Sequence, residues 1–405
     1  MKERLRPMAA VLAMLTLTAL GAACGGGERG IQPTDTGGGD TLASDTSGAD
    51  VSDVSQAPNA CTGDGDCSGV KHCRSGVCVA DPPAGVTSFV TDPHDNVPTS
   101  NPPDLSCSDQ TDAAPVQTQT ATLYGAVARF GDGRKTFEMH VDVLPEDGFD
   151  PTSCEGMTDA TAQRACFRAA GTVIGSAVSV APPTPDSLPA TCTAHEDCPF
   201  GYQCTKTSSV VHECTLQFGL YEIVDVPLDT PLILRVWATT NEDKWRDTWV
   251  FNVILPADQV GTDGRVQYDA TMVSVGQWEL TPNTVGLAPI PATRGAIGGR
   301  VRDCRGASRS SWPISEVSIG LADPARGTVF FNNLEDDTVP LIDRVTTNIL
   351  GRFAALDIAP GWNRIAGAAR VGTEVVSVGS VPVYVFPNAL SIVSWPGRLP
   401  YWRQH

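Results

Sequence analysis

Beyond its first two dozen residues the chain has no apolar run long enough to cross a membrane, since a spanning helix needs roughly 20 consecutive apolar residues. Positive charge is also scarce. Lys and Arg number 28 against 46 Asp and Glu, for a formal net charge of -18. No basic patch offsets this, and so acidic a chain is repelled by nucleic-acid phosphates, which excludes nucleic acid as a partner. Hydrolase signatures are missing: there is no Gly-x-Ser-x-Gly elbow and no His-Glu-x-x-His. Gly25-Gly26-Gly27 and Gly37-Gly38-Gly39 have no strand before them or helix after them, so they read as spacers rather than phosphate loops. The expectation is a protein that is not an enzyme and uses no cofactor and no metal.

What is present starts with an export pattern. Lys2, Arg4 and Arg6 precede a nearly uninterrupted apolar run from Met8 to Leu20, followed by Gly21-Ala22-Ala23 and then Cys24. Charge, a short apolar stretch and small residues read as a signal peptide over 1–23. The cysteine directly after the small residues resembles the bacterial lipobox, although Leu20 stands four residues before it where that family prefers three. The resemblance implies a diacylglycerol on Cys24 and an exported lipoprotein held at the outer membrane or cell surface, each buried methylene contributing about 0.8 kcal/mol. Residues 24–60 are Gly, Ser, Thr and Asp with almost nothing apolar. They are expected to form a disordered acidic tether, too poor in apolar surface to offset the entropy of ordering.

Thirteen cysteines less Cys24 leave 12, an even number, which in an exported chain argues for disulfides. Cys61, Cys67, Cys73 and Cys78 form one module (61–80). Cys192, Cys198, Cys204 and Cys214 form a second (190–215). Both have five residues between the first and second Cys and between the second and third, with Asp66 or Asp197 just before the second. Modules this small cannot build a hydrophobic core and need cross-links. Gaps of five are wide for the tight cysteine pairs of structural zinc, so two disulfides per module are expected. The pattern resembles the short cysteine-rich repeats of bacterial lipoproteins and, more loosely, the Dickkopf N-terminal cysteine-rich domain. Cys154 and Cys166 are close enough to close a local loop, and Cys107 and Cys304, each near a domain's first strand, could then join the two domains, a pairing that sequence alone does not fix. Asp64-Gly65-Asp66 and Glu335-Asp336-Asp337 lack EF-hand spacing and read as solvated loops.

After a linker over 81–119, the chain reads as short strands bounded by Gly, Pro, Asp and Asn. In Phe137–Val143 and Val317–Leu321 apolar and polar residues alternate, which gives each strand one buried and one wet side. One short helix fits within 157–170. An internal repeat is present: Gly219–Pro227 parallels Gly351–Pro360, and Gly125–Phe130 parallels Gly299–Cys304. The fold class expected is mainly β, with two tandem Greek-key β-sandwiches over 120–282 and 293–398 and the second Cys module inserted in the first. Gly299, Val301, Gly306, Gly351, Phe353, Ile358, Pro360 and Gly361 together resemble the carboxypeptidase regulatory-like, transthyretin-like domain. That resemblance implies a small sandwich that binds or spaces. The His-x-x-Glu pair of zinc carboxypeptidases is absent, because none of His72, His94, His140, His195, His212 or His405 has Glu three residues on.

The expected role is display for binding or envelope structure, by a lipid-anchored β-sandwich protein contacting the membrane through its anchor and offering its surface to a glycan or a surface-protein partner; the alternatives are a carbohydrate-binding protein using its sandwich loops and a hydrolase with an unrecognised site. The strongest local candidate is the tryptophan cluster around Thr239–Lys244. Trp245, with Trp249, offers the indole area that stacks on sugar faces, but the favoured reading places Trp237 and Trp249 in the core and leaves only Trp245 exposed.

Overall fold

The computed structural model describes residues 57–92, 97–99, 101–106, 108, 119–130, 135–180, 191–193, 198, 202–206, 212–216, 219–238, 240–304, 312–323, 328–332, 334, 340–341 and 343–396. The signal peptide, Cys24, nearly all of the tether, Cys107, and the 335–337 acidic run lie outside these residues. The first Cys module contains β1 (Lys71–Arg74) and β2 (Val77–Ala80), and the linker contributes β3 (Phe89–Asp92) and β4 (Val97–Pro98). The N-terminal half holds β5 (Thr120–Arg129), β6 (Lys135–Thr136), β7 (Met139–Pro145), α1 (Ala160–Ala169) and β8 (Gly175–Val178). The second module follows with β9 (Tyr202–Lys206) and β10 (His212–Leu216). The half is completed by β11 (Leu220–Pro227), β12 (Leu232–Ala238), β13 (Trp245–Arg246), β14 (Thr248–Val253), β15 (Arg265–Gln267), β16 (Ala270–Ser274) and α2 (Val275–Thr284). The C-terminal half holds β17 (Gly295–Arg302), β18 (Ile314–Ser315), β19 (Val317–Leu321), β20 (Thr328–Asn332), β21 (Pro340–Leu341), β22 (Arg352–Ile358), β23 (Gly361–Val371), β24 (Glu374–Val385) and β25 (Leu390–Pro396).

The chain is mainly β. One nine-stranded sheet, ordered β21-β20-β22-β17-β25-β14-β12-β7-β8, runs through both halves. The join is parallel, with Thr248 opposite Leu390 and Val250 opposite Ile392. Over the N-terminal strands of this sheet lies a six-stranded sheet built on β11, β5, β16 and β13, with a core of Leu123, Val127, Val141, Val143, Leu234, Val236 and Met272 between the two. Across the opposite face, β19-β23-β24 cover the C-terminal strands around Ile297, Val301, Phe353, Ile365, Val383 and Trp395. That core also takes residues from the N-terminal half. Phe149 and Phe167 pack on Phe386, Phe167 edge-on with centroids 5.2 Å apart, and Trp249 stacks on Phe386 at 4.1 Å. The halves expected as tandem sandwiches thus share a sheet and a core.

The helix expected within 157–170 is α1. Asp159 caps it by accepting from Ala162 N at 2.7 Å, and the Cys154–Cys166 disulfide ties it to the preceding turn. Helix α2 was not foreseen. Ser274 caps it, and its Trp278 packs with Ala296, Phe330 and Leu356 on the nine-stranded sheet.

The internal repeat has a structural basis. Strand β11 pairs with β5 as β22 pairs with β17, setting Tyr221 opposite Gly125 and Phe353 opposite Gly299. Gly219 and Gly351 both have positive φ, at 71° and 64°. Asp225 and Asp357 also match, at 57° and 59°, each near a register shift in its ladder. Asp tolerates the left-handed region better than most residues, and bulges use such residues.

The first Cys module docks on the C-terminal half. Val77 and Val79 are fully buried against Ala322, Ala366 and Ala368, and Asn59 N donates to Ala322 O at 2.8 Å. Gly320 lies directly beneath, where a Cβ would stand 2.9 Å from Val79 Cγ2 and 3.1 Å from Cys78 O. In the linker, β3 adds to β18.

Candidate functional site

The two Cys modules have the same covalent plan, first to third and second to fourth: Cys61–Cys73 with Cys67–Cys78, and Cys192–Cys204 with Cys198–Cys214. Each places its third and fourth cysteines opposite one another across a two-stranded ladder. The sulfurs of Cys61, Cys67 and Cys78 cluster, as do those of Cys192, Cys198 and Cys214, but all are bound in disulfides and none is a thiolate ligand. Cys304 is also disulfide-bonded.

The repeated Asp has a local task. Asp66 Oδ2 accepts from Thr62 N at 2.7 Å, Thr62 Oγ1 at 2.9 Å and Gly63 N at 3.1 Å. Asp64 Oδ1 accepts from Cys73 N at 2.8 Å, and its Oδ2 meets His72 Nδ1 at 3.2 Å. Backbone donors hold both carboxyls below their ordinary pKa, Thr62 chiefly for Asp66 and Cys73 chiefly for Asp64. The acidic run therefore staples the knuckle.

The tryptophans are placed differently from a sugar platform. Trp249, a ligand-binding candidate by sequence, is 1% exposed, with Phe386 stacked on it and the Arg235 guanidinium 5.3 Å away, so it is a core residue. Trp237 is sandwiched, with His140 stacked at 4.2 Å and Arg168 at 4.5 Å from its centroid. Trp245 is half-buried against the N-terminal core and pairs with Ser274 through β13.

Around them lies a polar centre that sequence reasoning missed. Asp142 and Arg235 face each other across β7 and β12. Asp142 Oδ2 accepts from Arg235 Nε at 2.9 Å and from Trp237 Nε1 at 2.7 Å. The next layer comes from α1. Arg164 and Arg168 both grip Asp247, at 2.5 Å for Arg164 Nη2 and 2.8 Å for Arg168 Nε, and both reach Glu242. Burial alone would raise the Asp247 pKa, but the hydrogen bonds from Arg168 and Arg164 outweigh it and hold the carboxyl below its ordinary range. The alternating pattern made Asp142 a wet-side residue, yet it is 4% exposed because the sheet is covered there too. A signal was available in the sequence: Arg164 and Arg168 are four apart on the expected helix and so share a face. In this network Asp142 pairs with Arg235, and Asp247 and Glu242 pair with Arg164 and Arg168, which clamps α1 in place.

No known family model matches the chain, and no curated protein matches it. Among solved structures, a streptococcal ancillary pilin aligns at 12% identity over 72% of this chain with a TM-score of 0.15, the chain spanning 65% of the pilin's length. The shaft pilin SpaA of Lactobacillus rhamnosus GG aligns at 8% identity over 70% of this chain and all of that one, with a TM-score of 0.17. A leucine-rich repeat protein of Bacteroides thetaiotaomicron aligns at 10% identity over 71% of this chain and 27% of its own, also at 0.17. Superpositions this poor carry no argument about function.

Proposed function

We propose that this is a non-enzymatic display protein of the bacterial cell surface, exported, lipidated at Cys24 and lifted from the membrane by residues 24–60. The observation that carries the reading is the disulfide frame, with bridges in both Cys modules and at α1. Such bonds form and persist in oxidising compartments, and the leader pattern supplies the route there. The C-terminal half then serves as a regulatory-like sandwich without an enzyme beside it, and the buried polar centre serves stability. A glycan partner finds no support in Trp249 or Trp237, whose ring faces are occupied by Phe386, His140 and Arg168.

Intact-mass analysis of the protein from its native membrane, with and without reductant, tests the reading. The expected mass carries acyl chains on Cys24 and increases on reduction by the hydrogens of every bridge. Cleavage at Ala23 with Cys24 unmodified removes the anchor, and free thiols in both modules remove the oxidising compartment.

A further inference from the structure

The nine-stranded sheet ends at β8, which pairs with β7 on one side. Ser179 N donates to Met139 O at 2.7 Å. Backbone bonding alternates along an antiparallel ladder, so Ala177 and Gly175 also turn their N–H and C=O toward β7, while Ser176 and Val178 turn theirs away from it. Val180 points the same way and is met there, exchanging backbone hydrogen bonds of 2.8 and 3.0 Å with Leu220. That bridge is isolated. Among the described residues no ladder carries it further, which leaves the outward backbone groups of Ser176 and Val178 open.

The side chains make this edge apolar. Ser176 Oγ donates to Asp142 Oδ1 at 2.5 Å, and the two-residue period of a strand places Ile174, Val178 and Val180 on the same face as Ser176. These three are 39%, 42% and 51% exposed. Val173 is exposed just before them, and so is Val224 of β11, whose carbonyl lies 3.9 Å from where a Cβ on Gly175 would stand. The other face of β8 is used: Ala177 packs on the N-terminal core, and Gly175 lies against Ile223. Edge strands are ordinarily guarded against pairing by charge, proline or a bulge. Here residues 169–185 carry no charge, and the first proline after Ala169 is Pro182, beyond the strand.

We propose that β8 is a self-association edge, pairing antiparallel with β8 of a second copy across a twofold axis and so joining two nine-stranded sheets. The charge pattern selects this occupant: an acidic or basic strand finds no countercharge on β8, whereas β8 itself is an uncharged, valine-bearing strand that matches it. A twofold contact uses the same patch on both copies, and two identical edge strands meet antiparallel about it. With Ala177 on the axis, Ser176 of each copy stands opposite Val178 of the other, so the open backbone groups meet one another. Ile174 then comes opposite Val180 and closes the apolar row. The net charge of -18 on each copy opposes approach, and salt screens that repulsion, so this association tightens as salt rises. The proposal stands independently of lipidation and of the display reading.

The test is sedimentation velocity on the purified protein across the micromolar range, at low and high sodium chloride, with Cys24→Ala as the background so that no acyl chain drives association. The expected result is a reversible monomer–dimer equilibrium that shifts toward dimer in high salt. Val178→Lys sets a charge into the apolar row of each copy and is expected to raise the dissociation constant on the order of tenfold or more. Val178→Pro removes an outward N–H while leaving the β7 ladder intact; it is expected to weaken the dimer as well and serves if the lysine variant does not fold. Leu280→Lys, at an exposed site on α2, is expected to leave the dimer unchanged. A protein that stays monomeric at every concentration and salt overturns the proposal and leaves the edge to a strand of another protein. A dimer indifferent to both Val178 variants, one that Leu280→Lys weakens equally, or one that salt dissociates overturns it too, because the contact then lies elsewhere.

Discussion

Glu146 supplies a pH dependence with a definite sign. It follows β7, where its backbone N donates to Pro231 O at 3.0 Å and its Oε2 accepts from Asn252 N at 3.2 Å. Asn252 stands at φ 57°, which turns its N–H toward the carboxyl. Burial pushes the Glu146 pKa from 4.5 to about 7, against a smaller lowering by the Asn252 bond. Below pH 4.5 the carboxyl is protonated in both folded and unfolded chains and has no effect on stability. Between 4.5 and about 7 the unfolded chain releases the proton while the folded chain keeps it, so stability falls as pH rises. Above about 7 the loss is complete, at most roughly 3 kcal/mol from ~1.36 kcal/mol per pH unit. Glu146→Gln keeps the shape and an acceptor for Asn252 N but cannot ionise. Urea midpoints measured from pH 4 to pH 8 should show the variant close to wild type at the acid end. Its advantage should grow through the window and level off near 2–3 kcal/mol. An advantage independent of pH, or a variant less stable than wild type at pH 8, refutes the reasoning.

Two further outcomes follow from the packing. Asp247→Asn leaves Arg164 and Arg168 without their shared buried carboxylate and should cost about 3–5 kcal/mol in urea denaturation; a loss under about 1 kcal/mol means that the clamp is ornamental. Gly320→Val places a side chain where Val79 and Cys78 now sit. It should release the first Cys module and make the 81–119 linker a preferred protease site, whereas an unchanged digestion pattern shows that the module does not depend on this contact.

The internal repeat was legible because it encodes backbone demands rather than contacts. Gly219 and Gly351 recur because both have positive φ and both leave no room for a Cβ, which would stand 1.8 Å from Thr136 O in one case and 2.3 Å from Val301 O in the other. The strands were legible where one face is wet. They misled where both faces are covered: β14 is buried at every position from Thr248 to Val253, so no alternation could mark Trp249 as inward or outward. The shared sheet was hidden for another reason. The pairing of Trp249 with Ser391 is a parallel contact between segments far apart in sequence, and no turn residue announces such a pairing.

The two Cys modules show how far a covalent pattern reaches. Their bridges and ladders correspond, so Cys78 in one is Cys214 in the other. In the first module the neighbours of that cysteine are Val77 and Val79, both fully buried in the C-terminal half, and burying a valine contributes roughly 1.5–3 kcal/mol. In the second the same places hold Glu213, which is exposed, and Thr215. A glutamate there cannot enter an apolar seam of alanines without a partner for its charge. The cysteine spacing therefore specifies how each knuckle closes, and the two residues beside the fourth cysteine specify whether it can be sealed to a sheet. The first module carries that apolar pair and the second has no counterpart of it.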